Sequence, residues 1–220
     1  MLPKADGSKI ISMSLYGKDT TYTYGAIRNA QLTPIIYPGW KIRFYISMSE
    51  DYRVPERILD KLRYLGAELV TVTMDTEEME PRYWRYLVAD DDNVRKFIIR
   101  NAEARISDRE KVAVDQWLKS SETLHVIKDH ARFNTFEGLW GARTKELMSK
   151  LKKSMKSVIS EGGDILQRIL TAVESSILCH DSVTCTTDIM ISCTSCTTTC
   201  EALPVSSIVE DISSIVVYER

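Results

Sequence analysis

Lys96-Phe97-Ile98-Ile99-Arg100-Asn101-Ala102-Glu103-Ala104-Arg105-Ile106-Ser107 is the stretch on which the fold turns. Phe97-Ile98-Ile99 is a continuous apolar run with β-branched residues, the pattern of a buried strand. It stops at Arg100-Asn101-Ala102-Glu103-Ala104-Arg105, a polar cluster that a buried strand cannot carry. Ser107-Asp108-Arg109-Glu110 follows with the Ser-x-x-Glu spacing of a capping box, so a helix starts there. A strand, a polar elbow and a capped helix mark the place where ligands sit in open α/β sheets, beyond the carboxyl ends of the strands. An oxygen and a carboxylate two residues apart (Asn101, Glu103), flanked by two guanidinium groups, suit a hard cation and the diphosphate it bridges. The competing reading is a surface turn whose Arg and Glu form exposed ion pairs.

Outward from this point the chain alternates strand and helix. Lys9 to Gly17 reads as a first strand running into a glycine turn, and Tyr22 to Leu32 as a helix stopped by Pro34 and Pro38-Gly39. Ile42 to Ile46 is a second strand. Val54-Pro55 opens a helix that Gly66 closes, with Ile58, Leu59, Leu62 and Leu65 as its apolar stripe. Glu68 to Met74 is a third strand, and this alternation argues for βαβ units and a mostly parallel sheet. Asp90-Asp91-Asp92 lies ahead of the central strand, so its carboxylates belong at the opposite edge of the sheet, as a solvated acidic loop. Glu110 to Leu118 reads as a helix that buries Val112, Val114, Trp117 and Leu118 in part, and Leu124 to Ile127 as a strand ending at Lys128-Asp129-His130. Lys145 to Ile159 reads as one amphipathic basic helix on the outside of the sheet. Helical character resumes over Glu161 to Ser176, after Gly162-Gly163.

With 44% hydrophobic and 27% charged residues in 220, the chain builds a substantial core. Lys plus Arg is 29 against 31 for Asp plus Glu, a net charge of −2, which predicts no general affinity for nucleic acid. No apolar run is long enough to span a bilayer, and Met1 to Gly7 lacks a signal pattern, so a soluble, cytoplasmic protein is expected. All 5 cysteines fall at or after Cys179, within or next to a Thr/Ser/Cys-rich stretch. Cys193-x-x-Cys196 has zinc-ligand spacing without a second pair to complete it, and residues 183–220 are expected to form a loosely ordered tail.

Arg100 to Glu110 resembles the metal-binding turn of a family of glycosyltransferase-like proteins with the type A (nucleotide-diphospho-sugar transferase) fold. That family reads Arg-Asp-x-Asp-Ser-Arg-Leu-x-x-Arg-Glu here; this chain carries Asn101 and Glu103 in place of the two aspartates. Further likeness lies in Tyr24-Gly25-Ala26-Ile27-Arg28-Asn29-Ala30, in Tyr37-Pro38-Gly39-Trp40, and in the aromatic-Arg-aromatic run Arg82 to Leu87. It continues in Asp129-His130, Gly138-Leu139-Trp140-Gly141 and the late pair His180-Asp181. The resemblance implies an α/β, three-layer, Rossmann-like domain over residues 1–182. It would transfer a sugar from a nucleotide-diphosphate sugar to a glycan or other hydroxyl acceptor. It implies Mn²⁺ or Mg²⁺ held by Asn101, Glu103 and His180, and donor contacts from Arg28, Asn29, Arg100, Arg105 and Trp140. Asp129 would be the catalytic residue, touching sugar or acceptor. The alternative is a module that binds the sugar nucleotide without turning it over.

Overall fold

The computed structural model describes residues 8–73, 79–128, 138–173 and 177–181, with residues 128 and 177–181 described by backbone alone. All of them lie within one unit, Met1–Thr187. Asp129, the Thr/Ser/Cys-rich stretch from 183 onward and its cysteine pair lie outside the described residues.

Seven strands form one sheet in the order β3-β2-β1-β4-β6-β5-β7. They are β1 (Ser8–Ser14), β2 (Lys41–Ile46), β3 (Glu68–Thr71), β4 (Val94–Ile99), β5 (Leu124–Lys128), β6 (Trp140–Arg143) and β7 (Ile177–Asp181). β6 runs antiparallel to both β4 and β5; every other pairing is parallel. Helices cover both faces, which is why the central strands are apolar without alternation. On one face α1 (Thr20–Ile36), α2 (Glu56–Tyr64) and α3 (Asp108–Lys119) pack Ala26, Ala30, Ile58, Leu62, Val114 and Trp117 on Ile11, Met13, Phe44 and Ile98. On the other, a 3₁₀ helix (Pro81–Asp90) and three short helices, α4 (Thr144–Leu151), α5 (Met155–Ser160) and α6 (Ile165–Val173), close over Ile10, Phe97, Ile99 and Trp140. The expected three-layer, mostly parallel α/β sheet is what the chain forms.

Local differences from the sequence reading have physical causes. α1 runs through Pro34 for another turn, because Tyr37 N–H still reaches the Thr33 carbonyl at 2.9 Å. Its start is set by Asp19, whose side chain accepts from Thr21 N–H at 2.7 Å. The expected helix over 145–159 is two helices. Lys152 ends the first in the left-handed region (φ 57°), and Ser154 caps the second. Val112, expected to be partly buried, is 53% exposed. Strand β6 has no β-branched residue to announce it. Its Gly141 is demanded by proximity, since a Cβ there would sit 2.5 Å from the Phe97 carbonyl oxygen and 2.8 Å from His125 Nε2.

Candidate functional site: the cleft beyond β1 and β4

The strand order reverses at β1, whose neighbours are β2 on one side and β4 on the other. A switch of this kind opens a crevice at the carboxyl ends of the strands, and the elbow Arg100–Ile106 lies there. Three devices hold the elbow. Asn29, fully buried on α1, donates through Nδ2 to the carbonyls of Ala102 (3.1 Å) and Ala104 (2.9 Å) and accepts from Ile106 N–H (3.0 Å). Gly25, one turn earlier, lets α1 touch the elbow directly, since a Cβ there would lie 2.3 Å from the Ala102 carbonyl oxygen. Arg100, only 1% exposed, donates from Nε to Glu110 Oε2 at 2.7 Å and from Nη1 to the carbonyls of Ile99 (2.7 Å) and Trp140 (3.3 Å). Ser107 Oγ accepts from Glu110 N–H at 3.4 Å, so half of the expected capping box is present. The Glu110 carboxylate, which would complete it, goes to Arg100 instead. Burial pushes the nearby Tyr37 phenol up to about 12, against the opposing pull of the Arg100 guanidinium.

The opposite side of the crevice is set by the 3₁₀ helix. Ser12 Oγ donates to the Arg85 carbonyl (2.7 Å), Ser14 Oγ donates to the Arg82 carbonyl (3.3 Å), and Arg85 N–H donates to Ser14 Oγ (3.0 Å). Two small polar residues on a buried strand face thus fix the backbone of Arg85. Its side chain, 6% exposed, donates from Nη1 to the Arg100 carbonyl at 3.3 Å and, by a short bond, to Asn101 Oδ1. Gly138 lies against the same amide: a Cβ there would come within 2.7 Å of Asn101 Nδ2 and Oδ1. The aromatic wall is Tyr16, Tyr52 and Trp84, edge to face at centroid distances of 6.2, 5.9 and 5.5 Å. Gly17 (φ 75°) makes the turn that holds Tyr16, with its N–H donating to the Tyr52 carbonyl at 2.9 Å. Burial raises the Tyr16 phenol above its usual range, with the neighbouring Tyr22 and Glu103 adding to the effect and Arg85 opposing it.

The expected site residues therefore divide. Asn101 and Glu103 lie on the elbow, Glu103 exposed and Asn101 partly so. Arg105 and Arg28 are exposed, Arg28 donating to Gln31 Oε1 at 3.3 Å. Three residues expected at the donor surface lie inside. Asn29 and Arg100 hold the elbow together, and the Trp140 ring, fully buried, packs edge-on between Tyr86 (5.3 Å) and Phe97 (5.4 Å). Trp140 lies there because Ile99 pairs with it across the antiparallel β4–β6 ladder, which carries its side chain to the same face as the core residue Ile99. His180 is opposite Ile127 on β7, with β6 and β5 between its strand and β4, about 14 Å in the sheet plane. Its side chain, like Asp129, lies outside the described residues. Arg85 and Tyr16 were not among the expected site residues, although Arg85 lies in the aromatic-Arg-aromatic run that carries part of the resemblance. The available signals were an arginine between two core aromatics, Trp84 and Tyr86, and the Ser12/Ser14 alternation in an otherwise apolar strand.

The elbow fits a divalent ion poorly. The Asn101 oxygen that would ligate the ion already accepts from a guanidinium, and Glu103 is the elbow's one carboxylate. Among the described residues no three His, Cys, Asp or Glu side chains converge as a metal site.

No family model matches the chain, and no curated protein matches it in sequence. Solved structures do match. The chain superposes on Mycobacterium tuberculosis glucosyl-3-phosphoglycerate synthase with a TM-score of 0.53 at 13% identity, over 80% of this chain and 71% of that one. A structure of that synthase holding Mn²⁺, UDP-glucose and phosphoglyceric acid gives 0.52 at 13% identity, over 81% and 70%. Staphylococcus aureus TarS with bound UDP gives 0.52 at 11% identity, over 79% and 60%. The 4-diphosphocytidyl-2C-methyl-D-erythritol synthase of Anaerococcus prevotii gives 0.51 at 9% identity, over 80% and 87%. The chain has the α/β, Rossmann-like fold of type A nucleotide-diphospho-sugar transferases. At these identities the likeness extends to the fold, which sugar-transferring and cytidylyl-transferring proteins share. No helix among the described residues is long and apolar enough to cross a membrane.

Proposed function

We propose that this domain binds a nucleotide-diphosphate sugar in the crevice beyond β1 and β4 and transfers the sugar to a hydroxyl acceptor. The observation that carries the reading is the Arg85–Asn101 contact at the topological switch point, with the exposed Glu103 two residues further along the elbow. Nucleotides bind there in open α/β sheets, and guanidinium groups suit diphosphate oxygens. Arg105, exposed on the elbow, and Arg28, exposed on α1, add positive charge to the two elements that meet there. Asn29 and Arg100 serve as positioning residues, and Trp140 as core. Asp129, following β5 in sequence, keeps its proposed role at the sugar or acceptor. Mn²⁺ or Mg²⁺ is the cofactor the resemblance suggests, with Glu103 and His180 as the side chains left to hold it.

A second reading, a binding module without turnover, is favoured by one feature: the Asn101 amide is already engaged by Arg85. Incubation with a panel of nucleotide-diphosphate sugars separates the two. Transferase activity releases nucleoside diphosphate in step with glycosylated product or hydrolysed sugar. Saturable binding without release selects the binding module, and neither binding nor release removes both readings.

A further inference from the structure

The 3₁₀ helix borders a second hollow. Its first turn, with Met79 and Glu80 before it, lines a cavity of about 470 Å³ whose other wall is the α5–α6 turn. That volume lies within the roughly 300–1,000 Å³ in which small ligands bind. The floor is apolar, with Met79, Ile159 and Ile165 all buried. The rim is polar: Glu80 and Ser160 are exposed on it, and Tyr83 adds a half-buried ring. Gly162 and Gly163, both in the left-handed region (φ 67° and 74°), make the opposite wall bare backbone.

The polar groups of the rim define what it can hold. Glu80 Oε2 accepts from Arg82 Nε at 2.9 Å and lies 2.8 Å from Arg82 Nη2. The acid and the base of the rim thus hold each other, and among the described residues no other charged side chain lines the cavity. Neither a cation nor an anion meets a matching charge there. The second carboxylate oxygen of Glu80 is left to accept a hydrogen bond. Ser160 Oγ donates to the Lys156 carbonyl at 3.0 Å, so its oxygen is left to accept as well. Acceptors on a rim above an apolar floor match a ring with hydroxyl donors on its edge and C–H groups on its face. The cavity also neighbours the crevice. Ser14, the last residue of β1, donates to the Arg82 carbonyl at 3.3 Å, which ties the cavity wall to the strand end where the crevice opens. Burial raises the Tyr16 phenol, and Glu103 on the elbow and Glu80 on the rim both add to that rise, so Tyr16 stands within electrostatic reach of both carboxylates.

We propose that this cavity binds a neutral saccharide, through Glu80 and Ser160 at its rim and the apolar floor beneath. Its role as the acceptor site of the transfer rests on the donor reading above; the binding itself does not. The test is saturation-transfer difference NMR on the full chain. The neutral probes are glucose, galactose, mannose, maltose and lactose, and the charged ones glucuronate and glucosamine, each alone and with the panel of nucleotide-diphosphate sugars. Saturable binding of at least one neutral probe is expected, in preference to both charged ones. Ser160→Trp, at an exposed position, fills the cavity and is expected to abolish the signal. Glu80→Ala, also at an exposed position, is expected to weaken binding about tenfold, the scale of one hydrogen bond to a charged group. Both variants should melt at the wild-type temperature, so that a lost signal reports the site. A wild type that binds no neutral probe or prefers a charged one overturns the proposal, as does neutral-probe binding that both variants retain in full. Neutral-probe binding that Ser160→Trp removes, in a protein that binds no nucleotide-diphosphate sugar, sustains the cavity and overturns the donor reading alone.

Discussion

Two polar loops bracket the central strand β4, and they have opposite jobs. The loop leading in, Asp90-Asp91-Asp92, is the richer in carboxylates, yet they build the fold. Asp90 accepts from the N–H groups of Met155 (2.7 Å) and Lys156 (2.9 Å) at the start of α5. Asp91 pairs with Arg43 at 2.8 Å; partial burial pushes its carboxyl up, but the Asn93 N–H donating to it and the Arg43 guanidinium outweigh that and hold it below its usual range. The loop was expected to be merely solvated, and two of its three carboxylates have structural partners. The loop leading out has one carboxylate, Glu103, exposed, and its backbone is clamped from behind by α1. A row of acids before a strand thus serves as joinery, while the sparser turn after the strand faces the crevice. Position relative to the strand, more than the density of acidic residues, separates the two.

The comparison can be broken at several points. Asn29→Ala removes three hydrogen bonds from buried backbone groups of the outgoing loop, and we expect a loss of about 4 kcal/mol in chemical denaturation. A loss under about 1 kcal/mol would mean that the clamp does not hold the elbow. Glu110→Ala leaves Arg100 buried without its counter-charge and should cost about 3 kcal/mol; Glu110→Gln, which keeps an acceptor, should cost less. On the incoming side, Asp90→Ala removes the acceptor at the start of α5 and should cost about 1 kcal/mol by thermal melting. It should leave pyrophosphate binding unchanged, and a loss of binding in the folded variant would move the site to the wrong end of β4.

The smallest effect is the pH dependence of the Asp91–Arg43 pair. A carboxyl held below its unfolded value adds stability that is present above that value and lost as the pH falls through the folded one. Asp91 is partly exposed, so screening keeps the contribution below about 1 kcal/mol. Asp91→Asn should therefore be slightly less stable than wild type at neutral pH, and the gap should close below about pH 4. A gap that persists at low pH would point to a packing role for Asp91 in place of the charge.

The layers of the fold were legible because they rest on local patterns: the apolar run of β4, Ser107 three residues before Glu110, Gly66 closing α2. The pattern failed where a partner across the sheet decides. Trp140-Gly141-Ala142-Arg143 has weak strand propensity and is a strand because β4 and β5 flank it. The site was legible in position and less so in its members. Asn29, Arg100 and Trp140 are residue types that serve equally at a ligand surface and inside an elbow, and only tertiary contacts tell the two apart. Arg85, noted only as part of an aromatic-Arg-aromatic run, was given no site role for the converse reason: amid core aromatics it reads as packing, and its contact with Asn101 spans sixteen residues.

The contact of Gly25 with the Ala102 carbonyl has a mechanical consequence. With no side chain between them and Asn29 bonded on the next turn, α1 and the elbow cannot slide past each other, so together they form one stiff jaw of the crevice. Its opposing jaw, the 3₁₀ helix, is joined to β1 through the hydroxyls of Ser12 and Ser14. Arg85 also ties that helix to the elbow, so a change in the gap between the jaws strains the Ser12 and Ser14 hydroxyls and the Arg85 guanidinium together.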